Sequence, residues 1–286
     1  MTYLWINLYR IEPRVYEGVF VDPQIRFPLR INRIRYKMLL ARLQTQWEPQ
    51  DLYTKHVQRL MINELHLAPT FLPLCRNLTS LAILCFPGEP HQAIMHPLFT
   101  SNTLSFPKLR RLYLRWKILP PEQRSFHNPI FRSLTHLEVN YDQKMYWSDL
   151  SSLKNLKNLC LNCRYTVIEN ARALEYVLGS VIHVLVSNIP SSLKYFTVMF
   201  ESRCAAYSAS EYCTQICWDI EIGRYDSRLL LDWSGFGPKR ATSEQTLLRC
   251  DLDFVYSWIY PPSCYEDYWR RAELDIENRN RTYGLV

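Results

Sequence analysis

Cysteines at 160 and 163, two more at 213 and 217, and histidines at 91 and 96 come nearest, by type and spacing, to residues that could do chemistry. A Cys-x-x-Cys pair serves zinc binding and thiol exchange, because two thiols so close can share a metal or form a disulfide. A structural zinc site needs four ligands, and no second Cys/His pair follows Cys160-Leu-Asn-Cys163 at zinc spacing. Cys213 with Cys217 and His91 with His96 lack partners in the same way. Gly235-Phe-Gly237-Pro-Lys-Arg echoes a dinucleotide fingerprint, but the third glycine is missing and Pro238 stands where a helix would begin, so it reads as a turn. Asp251 and Asp253 read as polar positions beside apolar Leu252 and Phe254. No Gly-x-Ser-x-Gly, His-Glu-x-x-His or Walker-type run occurs. The expectation is a protein that is not an enzyme, with no catalytic residue, cofactor or metal.

Charge and composition narrow the remaining classes. The 286 residues carry a net charge of +7, which favours anionic partners without the density of a dedicated nucleic-acid binder. The basic residues are clustered. Pro23 to Trp47 holds Arg26, Arg30, Arg33, Arg35, Lys37 and Arg42 with no acidic residue, and Pro90 to Pro121 holds Lys108, Arg110, Arg111, Arg115 and Lys117 with none. Seven glycines weigh against glycine-rich phosphate-cradling folds. Nine cysteines, an odd number in a chain too large to need staples, imply reduced thiols in a cytoplasmic or nuclear setting. The N-terminus lacks a secretory signal pattern, and the most apolar window, Ala173 to Ile189, is interrupted by Glu175, Ser180, His183 and Ser187, too polar to span a membrane.

What must position any functional residues is a repeat. Leu-x-x-Leu-x-(Leu/Ile/Val) occurs at Leu78/Leu81/Ile83, Leu109/Leu112/Leu114, Leu134/Leu137/Val139 and Leu156/Leu159/Leu161, with looser copies at Val57/Leu60/Ile62 and Leu193/Phe196/Val198. Steps between the middle residues are 21, 31, 25, 22 and 37, mostly near the range of leucine-rich repeats. Side chains alternate along a strand, so motif positions 4 and 6 share one face and positions 3, 5 and 7 the other. One such strand cannot bury its leucines alone, but stacked parallel strands share a core. The pattern predicts an α/β fold: a curved leucine-rich-repeat-like solenoid with a parallel sheet, helices on the convex side and capping helices at both ends. Thr166-x-x-Glu169 predicts a capping box before Ala171, Leu174, Val177 and Leu178, with Gly179 ending that helix. Val181 to Ser187 is open between a second helical stretch and an extra strand. Arg26 to Arg42, with Ile31, Ile34, Met38 and Ala41 at helical spacing, predicts an N-terminal capping helix. Ser263-x-x-Glu266 followed by Tyr265, Trp269, Ala272 and Ile276 predicts a C-terminal one.

The phrases Phe71-Leu-Pro-Leu-Cys-Arg-Asn-Leu-Thr-Ser-Leu-Ala82, Asn128-Pro-Ile-Phe-Arg-Ser-Leu-Thr-His-Leu-Glu-Val139 and Trp147-Ser-Asp-Leu-Ser-Ser-Leu-Lys-Asn-Leu-Lys-Asn-Leu159 resemble the irregular leucine-rich-repeat region of F-box-associated proteins of mushroom-forming fungi. Tyr9-Arg-Ile-Glu-Pro-Arg-Val-Tyr16 resembles the segment after the F-box, and Tyr265-Glu-Asp-Tyr-Trp-Arg-Arg-Ala-Glu273 the closing helix. Eight residues precede Tyr9, so the F-box itself is expected to be missing. The resemblance implies three parts: residues 1–50, an N-terminal capping segment; 51–200, the irregular repeats; and 201–286, a repeat-like segment with the closing helix. It also implies substrate selection in a ubiquitin-ligase adaptor.

On this reading positions 3, 5 and 7 form a solvated array on the concave face: Ser80, Ala82 and Leu84; Arg111, Tyr113 and Arg115; His136, Glu138 and Asn140; Asn158, Cys160 and Asn162; Tyr195, Thr197 and Met199. The expected protein-binding residues are Arg111, Tyr113, Arg115, His136, Glu138, Asn140, Asn158 and Asn162, because arginine and aromatic side chains on a rigid platform make interface hot spots. The expected partner is another protein and the chain a monomer. The alternative is a basic nucleic-acid-associated protein using Arg26 to Arg42 and Lys108 to Lys117.

Overall fold

A computed structural model of the chain describes residues 57–62, 72–83, 106–119, 124–142, 147–163, 170–200, 211–233 and 268–285. The strands are β1 (Arg59–Ile62), β2 (Ser80–Ile83), β3 (Arg111–Arg115), β4 (His136–Asn140), β5 (Asn158–Asn162), β6 (Tyr195–Phe200) and β7 (Leu229–Trp233). They form one seven-stranded sheet in chain order, every neighbouring pair parallel. The architecture is α/β. Leu60, Leu81, Leu112, Leu137, Leu159, Phe196 and Leu229 pair rung to rung across the whole sheet. The two loose copies of the motif therefore stand in the same ladder as the four strict ones, and β7 extends it by a rung that the motif did not mark.

Register is set by burial. Position 1 leucines at 78, 109, 134, 156 and 193 join the position 4 and 6 residues in a single apolar core on one face. A slip by one residue would turn each strand's leucines to the other face, so the burial itself holds the strands aligned. The leucines at 109, 134, 156 and 193 are each reached by a tight turn, their N–H groups donating to the carbonyls of Phe106, Phe131, Leu153 and Pro190. The carbonyls of Gln58, Thr79, Arg110, Thr135 and Lys157 each accept two N–H groups from the next unit. Side chains tie the units as well: Ser133 Oγ donates to Leu109 O at 2.8 Å, Ser192 Oγ to Leu156 O at 2.8 Å and Arg228 Nη1 to Leu193 O at 3.2 Å.

The returning segments differ from unit to unit. Between β3 and β5 they are short 3-10 turns whose aromatic residues fill the space behind the sheet: Trp116 lies 4.9 Å from Phe126, which lies 5.6 Å from Phe131 and 5.9 Å from Trp147, ring centre to ring centre. After β5 the return is helical. Helix α1 (Ala171–Ser180) is capped by Asn170, whose side chain accepts from Ala173 N at 2.9 Å; the expected partners Thr166 and Glu169 lie outside the described residues. Gly179 does not end α1. The helix runs through it into a π turn, Val181–Leu185, and a 3-10 turn, Val186–Asn188, because Val181 is buried and keeps the backbone on the core. The 181–187 stretch is thus helical, and among the described residues the long step between β5 and β6 holds no extra strand.

Helix α2 (Glu211–Glu221) packs Cys213, Ile216 and Ile220 into the leucine core. Gly223, at φ +70°, closes it in the left-handed region, with Arg224 N donating to Asp219 O at 2.8 Å. Helix α3 (Tyr268–Tyr283) corrects the expected C-terminal cap: it lies on the other face of the sheet, against β6 and β7. No described helix is long and apolar enough to cross a membrane. The N-terminal helix expected over 26–42 lies outside the described residues.

Candidate functional site

Positions 3, 5 and 7 make three rows across the sheet. Ser80, Arg111, His136, Asn158 and Tyr195 pair in register along the edge where the strands begin. Ala82, Tyr113, Glu138, Cys160 and Thr197 form the middle row, and Arg115, Asn140, Asn162 and Met199 the far one. Leu84, which would begin the far row, lies outside the described residues. All eight predicted binding residues are therefore on one face.

That face is not the solvated surface expected of it. Tyr113 (2% exposed), Glu138 (1%), Asn158 (9%) and Asn162 (1%) are buried, while Arg111, Arg115, His136 and Asn140 are half-buried. The correction has a physical reason that the far strands display. Cys160, Met199 and Trp269 of α3 form an apolar cluster, the Trp269 ring meets His136 edge-on at 5.4 Å, and Tyr195 Oη donates to Glu273 Oε1 at 2.8 Å. A bare face would leave Met199 and Cys160 in water; the helix removes them from it.

Two hydrogen bonds join polar side chains of this face. Tyr113 Oη donates to Asn140 Oδ1 at 3.0 Å, and Asn162 Nδ2 donates to Glu138 Oε1 at 3.0 Å. A carboxylate taken out of water carries a large desolvation cost, so such a bond is required rather than incidental. His136 contacts Thr135 Oγ1 through Nδ1 at 2.9 Å. Burial first, then the cations Arg111 and Lys157, hold its imidazole down to about 3, against the opposing pull of Glu273. The ring is accordingly neutral near pH 7. On α3, Arg270 Nη1 pairs with Glu273 Oε2 at 2.5 Å and holds that carboxyl below its usual range. Burial, followed by the bond to Glu273, pushes the Tyr195 hydroxyl up to about 12.

The cysteine pair separates. Cys160 lies on the α3 side of the sheet and Cys163 in the leucine core, so the two thiols stand on opposite faces. Cys75 is pushed up to about 12 and Cys217 to about 11, chiefly by burial, which makes both poor nucleophiles. Among the described residues no three His, Cys, Asp or Glu side chains gather where a metal could sit. His91, His96, Gly235 to Arg240, Asp251 and Asp253 lie outside the described residues.

Sequence reasoning missed Trp269 and Glu273 as members of this site. Their signal was present in the rows: charged and aromatic at β3 and β4, the array turns to Cys160, Thr197 and Met199 at β5 and β6, residues that suit a covered surface. Comparison with protein-family models, curated proteins and solved structures found no match to this chain.

Proposed function

We propose that this chain is a non-enzymatic recognition module, a leucine-rich-repeat solenoid that holds another protein on the part of its inner face left accessible around β3 and β4. The observation that carries this reading is the unbroken register of the rungs. A ladder with strands about 4.8 Å apart sets side chains at fixed intervals on a platform that cannot relax, which lowers the cost of ordering a binding surface. The contact residues are Arg111 and His136 at one end of the β3/β4 pair, and Arg115 and Asn140 at the other. Beside them on the same face, Tyr113 bonds to Asn140 and Asn162 to Glu138, which fixes the row between the two ends. In the F-box-associated family that the sequence resembles, such a face would select the substrate of a ubiquitin ligase.

The test is affinity purification of the full chain from cells, wild type against Arg115→Glu and Asn140→Arg, with bound proteins quantified by mass spectrometry. Arg115 and Asn140 are half-buried, so circular dichroism must first show both variants folded. The reading expects one set of partners to be lost in both variants. Recovery of the same set in equal amounts would remove this patch as the contact surface.

A further inference from the structure

The edge where the strands begin carries a run of exposed basic residues. Segments 72–80, 106–111, 131–136, 153–158 and 190–195 lead into β2 to β6 and contain no acidic residue. Arg76, Lys108, Arg110, Arg132, Lys154, Lys157 and Lys194 are all exposed there, and none forms an ion pair among the described residues. Their places follow the repeat. Arg76, Arg132 and Lys154 stand two residues before the position 1 leucine, Lys108 one before, and Arg110, Lys157 and Lys194 one after. The ridge stops at β7, where Asp226 neutralises Arg228 at 2.7 Å.

Seven like charges brought together by the fold repel one another, so the arrangement asks for an anion that can meet them in a row. We propose that this edge binds the phosphate backbone of duplex nucleic acid, without reading its sequence. Five strands at about 4.8 Å spacing make a ridge about 19 Å long, or one cation per roughly 3 Å. Each strand of a DNA duplex carries one phosphate per about 3.4 Å of axis, a close match in charge density. An acidic peptide, at about 3.3 Å per extended residue, would match it only with a carboxylate at nearly every residue. Of the rings along this edge, Phe106 and Phe131 are buried, His136 meets Trp269 and Tyr195 has its hydroxyl tied to Glu273, so the exposed edge positions offer no ring on which an unstacked base could lie. Paired strands, with their bases stacked inside, fit such a surface better than single ones. The ridge adjoins the Arg111/His136 end of the β3/β4 contact patch but is made of other residues, so neither site rests on the other.

The experiment is fluorescence anisotropy of a labelled 20-base-pair duplex with the full chain, between 50 and 200 mM salt. Wild type is compared with Lys154→Gln/Lys157→Gln, both positions exposed, and with the control Arg172→Gln, an exposed cation of α1. Two lost phosphate contacts weaken binding about 60-fold at 0.1 M salt and flatten the salt slope by about 1.8. The control should leave both quantities unchanged. The proposal is overturned if the duplex is not bound at 50 mM salt, if the double variant keeps the wild-type slope, or if poly-glutamate displaces the duplex at equal charge concentration. A single-stranded oligonucleotide binding more tightly than the duplex would overturn it too.

Discussion

Replacing Trp269 by alanine should open the polar face of the sheet while leaving the leucine core closed. Trp269 is 6% exposed and, among the described residues, clusters with Cys160 and Met199 and meets the edge of the His136 ring. Removal of a buried tryptophan costs about 3 to 5 kcal/mol, and the lower end, about 3, suffices for a measurable effect. At about 1.4 kcal/mol per tenfold, lifting of α3 becomes roughly 150-fold more populated. Cys160 reports it, because its thiol lies under Trp269, whereas Cys75 and Cys163 sit in the leucine core. The assay is alkylation by N-ethylmaleimide with peptide mass spectrometry, comparing labelling rates of the three thiols. Cys160 should label on the order of 100-fold faster in the variant, with Cys75 and Cys163 nearly unchanged. An unchanged Cys160 rate would refute the placement of α3, and a parallel rise of all three would show that the two faces open as one.

His136 supplies a pH prediction. Its folded pKa, near 3, lies below the usual 6.5, so the unfolded chain binds more protons between those values. Its contribution is full above about 6.5 and is lost as pH falls towards 3, with a slope of up to about 1.4 kcal/mol per pH unit. Urea melts at pH 4 and pH 7 should therefore differ less for His136→Gln than for the wild type; equal differences would refute the burial argument. Arg279 is 5% exposed and donates to the carbonyls of Ser227 and Leu229. Arg279→Met should cost on the order of 3 kcal/mol by leaving those carbonyls unpaired, and Arg279→Lys should rescue it only in part; full rescue by lysine would show that charge alone matters. Gly223→Ala should destabilise by about 1 kcal/mol, since φ is +70°, a backbone conformation that side chains bearing a Cβ rarely adopt. An unchanged thermal midpoint would contradict that strain.

The rungs were legible because leucine spacing and strand alternation are both local. Leu81, Leu112, Leu137 and Leu159 announce their own positions, and parallel stacking is the arrangement that buries them all. The weaker rungs Leu60 and Phe196 were legible only by analogy with the strict ones. Leu229 was not, because no position 1 leucine precedes it: the corresponding place is Asp226, which turns to Arg228 instead. Helix α3 was legible as a helix and misplaced in space. Its apolar spacing shows that Trp269, Ala272 and Ile276 must be covered, but periodicity carries no information about which surface covers them. The burial of Tyr113, Glu138 and Asn162 followed the same limit, since polar identity suggests water until a partner such as Asn140 or Glu138 itself is seen within bonding distance.

Helix α3 also gives the sheet an uneven mechanical character. Among the described residues, each strand from β1 to β3 is held chiefly by the strand beside it, whereas α3 touches β4 and β5 through Trp269, β6 through Glu273 and β7 through Arg279. A pull on α3 from its C-terminal end would load this strap first, and peeling it away would bare Cys160, Met199 and the His136 ring beneath Trp269. Tension at this end would thus act as a latch on the hidden half of the surface, with the leucine stack behind it still intact.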